Sequence, residues 1–246
     1  MNKSLYLKAE PDDVGDYVLL TGDPARVDRI AAKLDTPRTV AQNREFYSVT
    51  GNYEGRAMSA VSAGIGAPSA AIAIEELKML GVKAVVRVGT MMGVRAPMGS
   101  FVISIGAARF EGTSTSYLPS QYPAVPDWSL AQNLQQSAAA RALDIHMGIT
   151  ATYDAFYPHM APSLVNQGQL DVDELQTAGV MALDMETSLL YILGHRLGIA
   201  TASICLVTNK AAPFEILDAD LRADGEDTLI ETVLSGLRTW DEQTHA

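Results

Sequence analysis

Cysteine is nearly absent from this chain. Cys205, inside the apolar run ASICLV, is the single one in 246 residues. An internal disulfide is therefore excluded, and with it the disulfide-stapled secreted scaffolds; Cys205 reads as core packing. Histidine is scarce as well, at positions 146, 159, 195 and 245, and no Cys/His metal spacing, HExxH, GxSxG or lysine-bearing phosphate loop occurs. Basic residues are outnumbered, 18 Lys and Arg against 29 Asp and Glu, for a net charge of -11. A general grip on nucleic acid needs clustered cations, so that partner is not expected. No stretch approaches the roughly 20 apolar residues of a membrane span, and the opening MNKSLYLKAEPDD has no apolar segment of the secretion-signal type. The expected location is the cytoplasm. There is no internal repeat, low-complexity tract or composition break, and with 48% apolar residues the chain has ample material for one core. A single domain over 1–246 is the expectation.

What is present alternates between strand and helix patterns. YVLL at 17–20 is a short apolar run, TGDP a turn, and ARVDRIAAKL places Val27, Ile30, Ala31 and Leu34 at helical spacing, with Pro24 near the first helical position. Residues 38–62 predict two or three strands with a turn from Asn52 to Gly55, and 68–80 a helix opened by Pro68. Strands are predicted at 82–90, 100–110, 148–157, 180–186 and 199–207. Helices are predicted at 128–144, 187–197 and 226–240, with one or two short ones over 161–178 broken at Gly168. Residues 111–127, rich in Pro, Ser and Thr, read as a long rim or lid loop. This alternation implies a sheet covered on both faces.

Four segments carry candidate chemistry. In GDPARV, Gly22 ends a strand where a helix begins, a junction whose free N–H groups favour an anion. Arg26 sits in the first helical turn, the wrong end for a cation unless an anion is bound there; the alternative is a solvent-facing Arg beside Asp23. In AVVRVGT, Arg87 stands between apolar neighbours, so either a carboxylate pairs with it or it reaches a ligand at the carboxyl end of the sheet beside Gly89 and Thr90. SAGIGAPS at 62–69 allows close backbone approach, which helix packing alone also explains. In ALDMET, Asp184 and Glu186 point to one side of a strand and suit a diol such as ribose, unless they mark an exposed edge. His159, in FYPHM, is a further candidate for substrate contact.

Taken in order, LLTGDPARV, NREF, SAGIGAPSAAIAIEEL, VVRVGT, DAFYP and LDMET resemble the nucleoside phosphorylase-I superfamily, with uridine phosphorylases as the nearest branch. The resemblance implies an α/β fold, a three-layer αβα sandwich around a central mixed β-sheet. It implies phosphate held by Gly22, Arg26, Arg87 and Thr90, with Arg44 reaching the phosphate of a neighbouring subunit. Glu186 and Met185 would hold the ribose, Phe156 would pack on base or sugar, and Tyr6 matches an N-terminal residue that approaches the ribose of a neighbouring site. Glu45, Ile65 and Ser69 resemble positions that bind a monovalent cation between subunits in some relatives. No organic cofactor is implied, inorganic phosphate is the co-substrate, and the assembly is a homo-oligomer of dimers, up to a hexamer.

The base pocket departs from the uridine pattern. A Gln and an Arg read uracil in that branch, and Met160 and Pro162 stand in their places. CLVTNK at 205–210 is more like purine-cleaving relatives, with Asn209 where an Asp stands in the hexameric purine branch. Asn209 or Lys210 is the candidate for stabilising the leaving base, and uridine is not expected to be the best substrate. The competing readings are a nucleosidase that uses water and a non-catalytic nucleoside binder. Hydrolytic relatives lack the arginines of the phosphate site, whereas this chain has all three.

Overall fold

The computed structural model describes residues 3–157, 172–211 and 214–244. His159, Met160, Pro162 and the break expected at Gly168 lie outside them. β1 (Tyr17–Thr21) turns directly into α1 (Pro24–Ala31), where the Asp23 carboxylate caps the helix by accepting from the Ala25 N–H at 2.9 Å. β2 (Asp35–Asn43), β3 (Phe46–Tyr53) and β4 (Arg56–Ser62) form an antiparallel meander. Then come α2 (Ala67–Met79), β5 (Ala84–Gly93), β6 (Phe101–Phe110), α3 (Trp128–Ala140) and β7 (Ile145–Tyr153). The chain continues through α4 (Val172–Thr177), β8 (Ala182–Asp184), α5 (Thr187–Leu197), β9 (Ala200–Ala211), β10 (Phe214–Ile216) and α6 (Ala219–Thr244).

The strands form one mixed sheet in the order β10-β9-β6-β7-β8-β5-β1-β4-β3-β2. β1 alternates its side chains between two cores, as a strand buried on both faces must. Tyr17 and Leu19 join α1, α3 and α6 on one face, and Val18 and Leu20 join α2 and α5 on the other. The expected three layers are thus present. The sheet also curls, because β5 pairs with β9 in parallel as well as with β1 and β8. β5, β9, β6, β7 and β8 thereby close on one another around Met91, Val102, Ala182, Cys205 and Val207. Cys205 is a buried free thiol within that packing.

Several segments differ from the sequence pattern, and β10 (Phe214–Ile216) has no counterpart in it at all. The 111–127 loop is not a free lid, because Arg109 donates to the carbonyls of Leu118, Pro119 and Tyr122 and to Ser114 Oγ, around a short 3-10 turn at Ser114–Ser116. α6 begins at Ala219, seven residues before the predicted start at 226. No helix among the described residues is long and apolar enough to cross a membrane.

Candidate active site

The ends of β1 and β8 and the middle of β5 meet the first turns of α1 and α6 around a cavity of about 420 Å³. Its wall includes Gly22, Arg26, Arg87, Thr90, Met185 and Glu186. Location at the carboxyl end of β1, which runs parallel to β5, is where open α/β sheets bind ligands.

Arg87 points along β5 toward this wall. Gly89, two residues on and on the same strand face, makes room for it: a Cβ there would stand 2.3 Å from Arg87 Nη1. Both alternatives weighed for Arg87 hold together, since it lines the cavity and is ion-paired. Its Nε donates to Asp184 Oδ2 at 2.8 Å and its Nη2 lies 2.6 Å from Glu186 Oε2. Desolvation by burial works against its charge, but Glu186 and Asp184 outweigh it and hold the guanidinium charged.

Asp184 and Glu186 do not share a strand face. β8 stops at Asp184, because the Asp184 carboxylate turns back to accept from the Thr187 N–H at 3.0 Å and from Thr187 Oγ1 at 2.5 Å. Glu186 consequently stands at the N-cap position of α5 without capping it, and its other oxygen accepts the Gly66 N–H at 2.6 Å. With Thr152 Oγ1 on its second oxygen at 2.9 Å, Asp184 is fully engaged and serves to hold Arg87. Burial pushes the Glu186 carboxyl above the usual glutamate range; Arg87 pulls it back only in part, and Asp184 adds to the rise.

Arg26 also lines the cavity and is buried. Its Nη1 donates to Thr21 Oγ1 at 2.6 Å and its Nη2 pairs with Glu226 Oε1 at 2.9 Å. Nε is buried without a hydrogen-bond partner among the described residues. An unsatisfied buried donor costs about 1–3 kcal/mol, and an anion drawn against this guanidinium would relieve it. Arg222, on the first turns of α6, also lines the cavity. Sequence reasoning missed it because it fell before the predicted helix start; the available signal was its i,i+4 spacing from Glu226.

Of the other candidates, Phe156 and Ile65 line the cavity, and Arg44, Glu45, Ser69, Tyr6, Asn209 and Lys210 do not. Arg44 is exposed in the tight turn between β2 and β3. Tyr6 stands beside that turn: its carbonyl accepts from Asn43 Nδ2 at 2.9 Å and its ring lies 5.6 Å from that of Phe46. Tyr6 thus packs on the residues that flank Arg44, and neither of the two lines its own chain's cavity. Glu45 Oε1 accepts from Ser69 Oγ at 3.3 Å, and both side chains lie against Gly64. Asn209 and Lys210 occupy the end of β9, opposite Met92 and Gly93 of β5.

Residues 16–237 match the model of the phosphorylase superfamily. The chain is 38% identical to a guanosine phosphorylase of Halorubrum lacusprofundi over 94% of its own length and 92% of the relative's. It is 35% identical to a uridine phosphorylase of Thermococcus kodakarensis, over 97% and 88%. The crystal structure of uridine phosphorylase from Vibrio fischeri superimposes with a TM-score of 0.87 at 30% identity, covering 97% of this chain and 98% of that one.

Proposed function

The chain belongs to the phosphorylase superfamily, and from that premise we propose that it cleaves the N-glycosidic bond of a nucleoside with inorganic phosphate, releasing the free base and a pentose 1-phosphate. The observation that carries this reading is one cavity with two buried arginines, Arg26 and Arg87, on its wall beside the carboxylate of Glu186. Phosphate sits between Gly22, Arg26, Arg87 and Thr90, and the ribose hydroxyls donate to Glu186 beside Met185. Held in this way, a phosphate oxygen attacks C1′ as the C1′–N bond breaks. The base leaves with the bonding electron pair and acquires a proton. Positive charge developing on the sugar is stabilised by the phosphate dianion and by the carboxylates of Asp184 and Glu186.

The site is completed by a second subunit. Tyr6 packs on Asn43 and Phe46, which flank Arg44, and neither Tyr6 nor Arg44 lines its own cavity, as groups that serve a neighbour would. A monovalent cation on Glu45, Ile65 and Ser69 would neutralise that carboxylate and brace the Arg44 turn. The homo-oligomer is accordingly built from dimers that share their sites.

Uridine is not the favoured substrate in this reading. A pyrimidine edge left with one buried group unpaired loses roughly 1–3 kcal/mol, and Met160 and Pro162 carry no groups to pair with it. The relatives named for guanosine and for uridine stand at similar distances, 38% and 35%. The test is kcat/KM for uridine, thymidine, inosine, adenosine and guanosine with and without phosphate. Phosphate-dependent base release with a purine nucleoside ahead is expected. A tenfold lead for uridine, roughly 1.4 kcal/mol, overturns the base assignment, and release that ignores phosphate overturns the reaction. Asn209→Ala with unchanged kcat would remove that residue from leaving-base stabilisation.

A further inference from the structure

One carboxylate beside the cavity carries an unusual load. Glu226, buried on α6, accepts Arg26 Nη2 at 2.9 Å and Arg222 Nε at 3.0 Å on Oε1, and Arg29 Nη1 at 2.9 Å on Oε2. Arg26 and Arg222 line the cavity, while Arg29 stands behind them on α1 and reaches on to Asp227 Oδ1 at 2.9 Å and to the Ala223 carbonyl. The ion-paired cluster thus holds Arg26, Arg29 and Arg222 against Glu226 and Asp227, leaving one positive charge over. Desolvation pushes the Glu226 carboxyl up, but Arg26 and Arg222 more than offset it and the net shift is downward, so the cluster keeps its charges at neutral pH.

A lone guanidinium on a buried wall has several rotamers and loses entropy when a ligand fixes it. Arg26 does not have that freedom. Thr21 holds Nη1 and Glu226 holds Nη2, so the guanidinium is set before an anion arrives. Glu226 is itself fixed from behind by Arg29. We infer that Glu226 is a positioning residue of the phosphate subsite: it holds Arg26 and Arg222 at the cavity wall and ties the first turns of α6 to α1. It touches no substrate and acts through Arg26. The inference rests on the phosphorolysis reading for the identity of the anion.

The test separates geometry from charge. Glu226→Asp keeps the charge and withdraws the carboxylate by about 1.5 Å, one carbon–carbon bond. The full-length protein and this variant are titrated with inorganic phosphate by calorimetry, and KM is measured for phosphate and for the nucleoside separately. The expected result is a phosphate Kd and KM raised by about fivefold or more, with nucleoside KM within about twofold of wild type. Arg29→Lys, which also keeps its charge but cannot span Glu226 and Asp227 with one fork, is the second variant. It should raise phosphate Kd by about twofold or more and serves if Glu226→Asp does not fold. Wild-type phosphate affinity in both variants, or a parallel rise in the KM of both substrates, overturns the positioning role. A wild-type protein that binds no phosphate overturns the phosphorolysis reading instead.

Discussion

Arg87 and Arg26 face the same cavity and are equally buried, yet they are held in opposite ways. Arg87 has two carboxylates, Asp184 and Glu186, and that trio carries one net negative charge. Arg26 shares Glu226 with Arg29 and Arg222, and its cluster carries one net positive charge once Asp227 is counted. The cavity is therefore polarised. In the proposed reaction its Arg26 end would take the anion, and its Glu186 end the hydroxyl donors of a sugar that becomes cationic. Arg87 is paired directly with the Glu186 end. The contrast also separates stability from function, because removing Arg87 strands two buried carboxylates, whereas removing Arg26 leaves Glu226 with two arginines.

Arg87→Met gives the largest expected effect. Phosphate-dependent kcat/KM should fall by about a hundred- to a thousandfold, and stability by about 3–5 kcal/mol, the usual result of breaking a buried ion pair from one side. Enzyme assay and chemical denaturation report the two, and near wild-type turnover would remove Arg87 from the site. Arg26→Met should raise the phosphate KM by about 10- to 100-fold, corresponding to a charge-assisted hydrogen bond of roughly 1.5–3 kcal/mol, while costing only about 1–2 kcal/mol of stability. Equal destabilisation by the two substitutions would break the comparison. In subunit mixing, Arg44→Ala and Glu186→Ala chains, each inactive alone, should regain about a quarter of wild-type activity if dimers re-form at random. No recovery despite demonstrated exchange would argue against shared sites.

The smallest effect concerns pH. Glu186 must be ionised to accept ribose hydroxyls, and its carboxyl lies above the usual glutamate range. Affinity for a carbon-linked nucleoside analogue, which cannot be cleaved, should therefore be highest above that raised value. It should be lost on acidification through that raised value, before an ordinary glutamate would protonate. Glu186→Gln should flatten the profile. An unchanged affinity down to the ordinary glutamate range would contradict the assignment.

Much of this was legible in the residues. Arg26 at the start of a helix and Arg87 inside an apolar strand each violate a local preference, and both violations lie on the cavity wall. Ion-pair partners were less legible. Pairing of Arg87 with Asp184 spans 97 residues, and that of Arg26 with Glu226 spans 200, and no local pattern reports such separations. The LDMET segment misled because strand periodicity was carried past Asp184, whereas the side chain of that residue ends the strand by bonding to Thr187. The start of α6 was hidden by Gly225, which reads as a helix breaker. In the fold it serves close packing: a Cβ there would lie 2.9 Å from Leu206 Cδ2 of β9. Closure of β5 onto β9 left no mark in strand patterns either, since a strand buried on both faces looks alike in an open or a curled sheet.

The most direct test of the polarised cavity is phosphorus NMR of the reaction mixture under single-turnover conditions, with inosine or guanosine and a slight excess of phosphate. The account predicts a new pentose 1-phosphate signal that grows in step with free base, is absent without phosphate, and is lost in Arg87→Met. Release of base with unphosphorylated pentose as the co-product would contradict it.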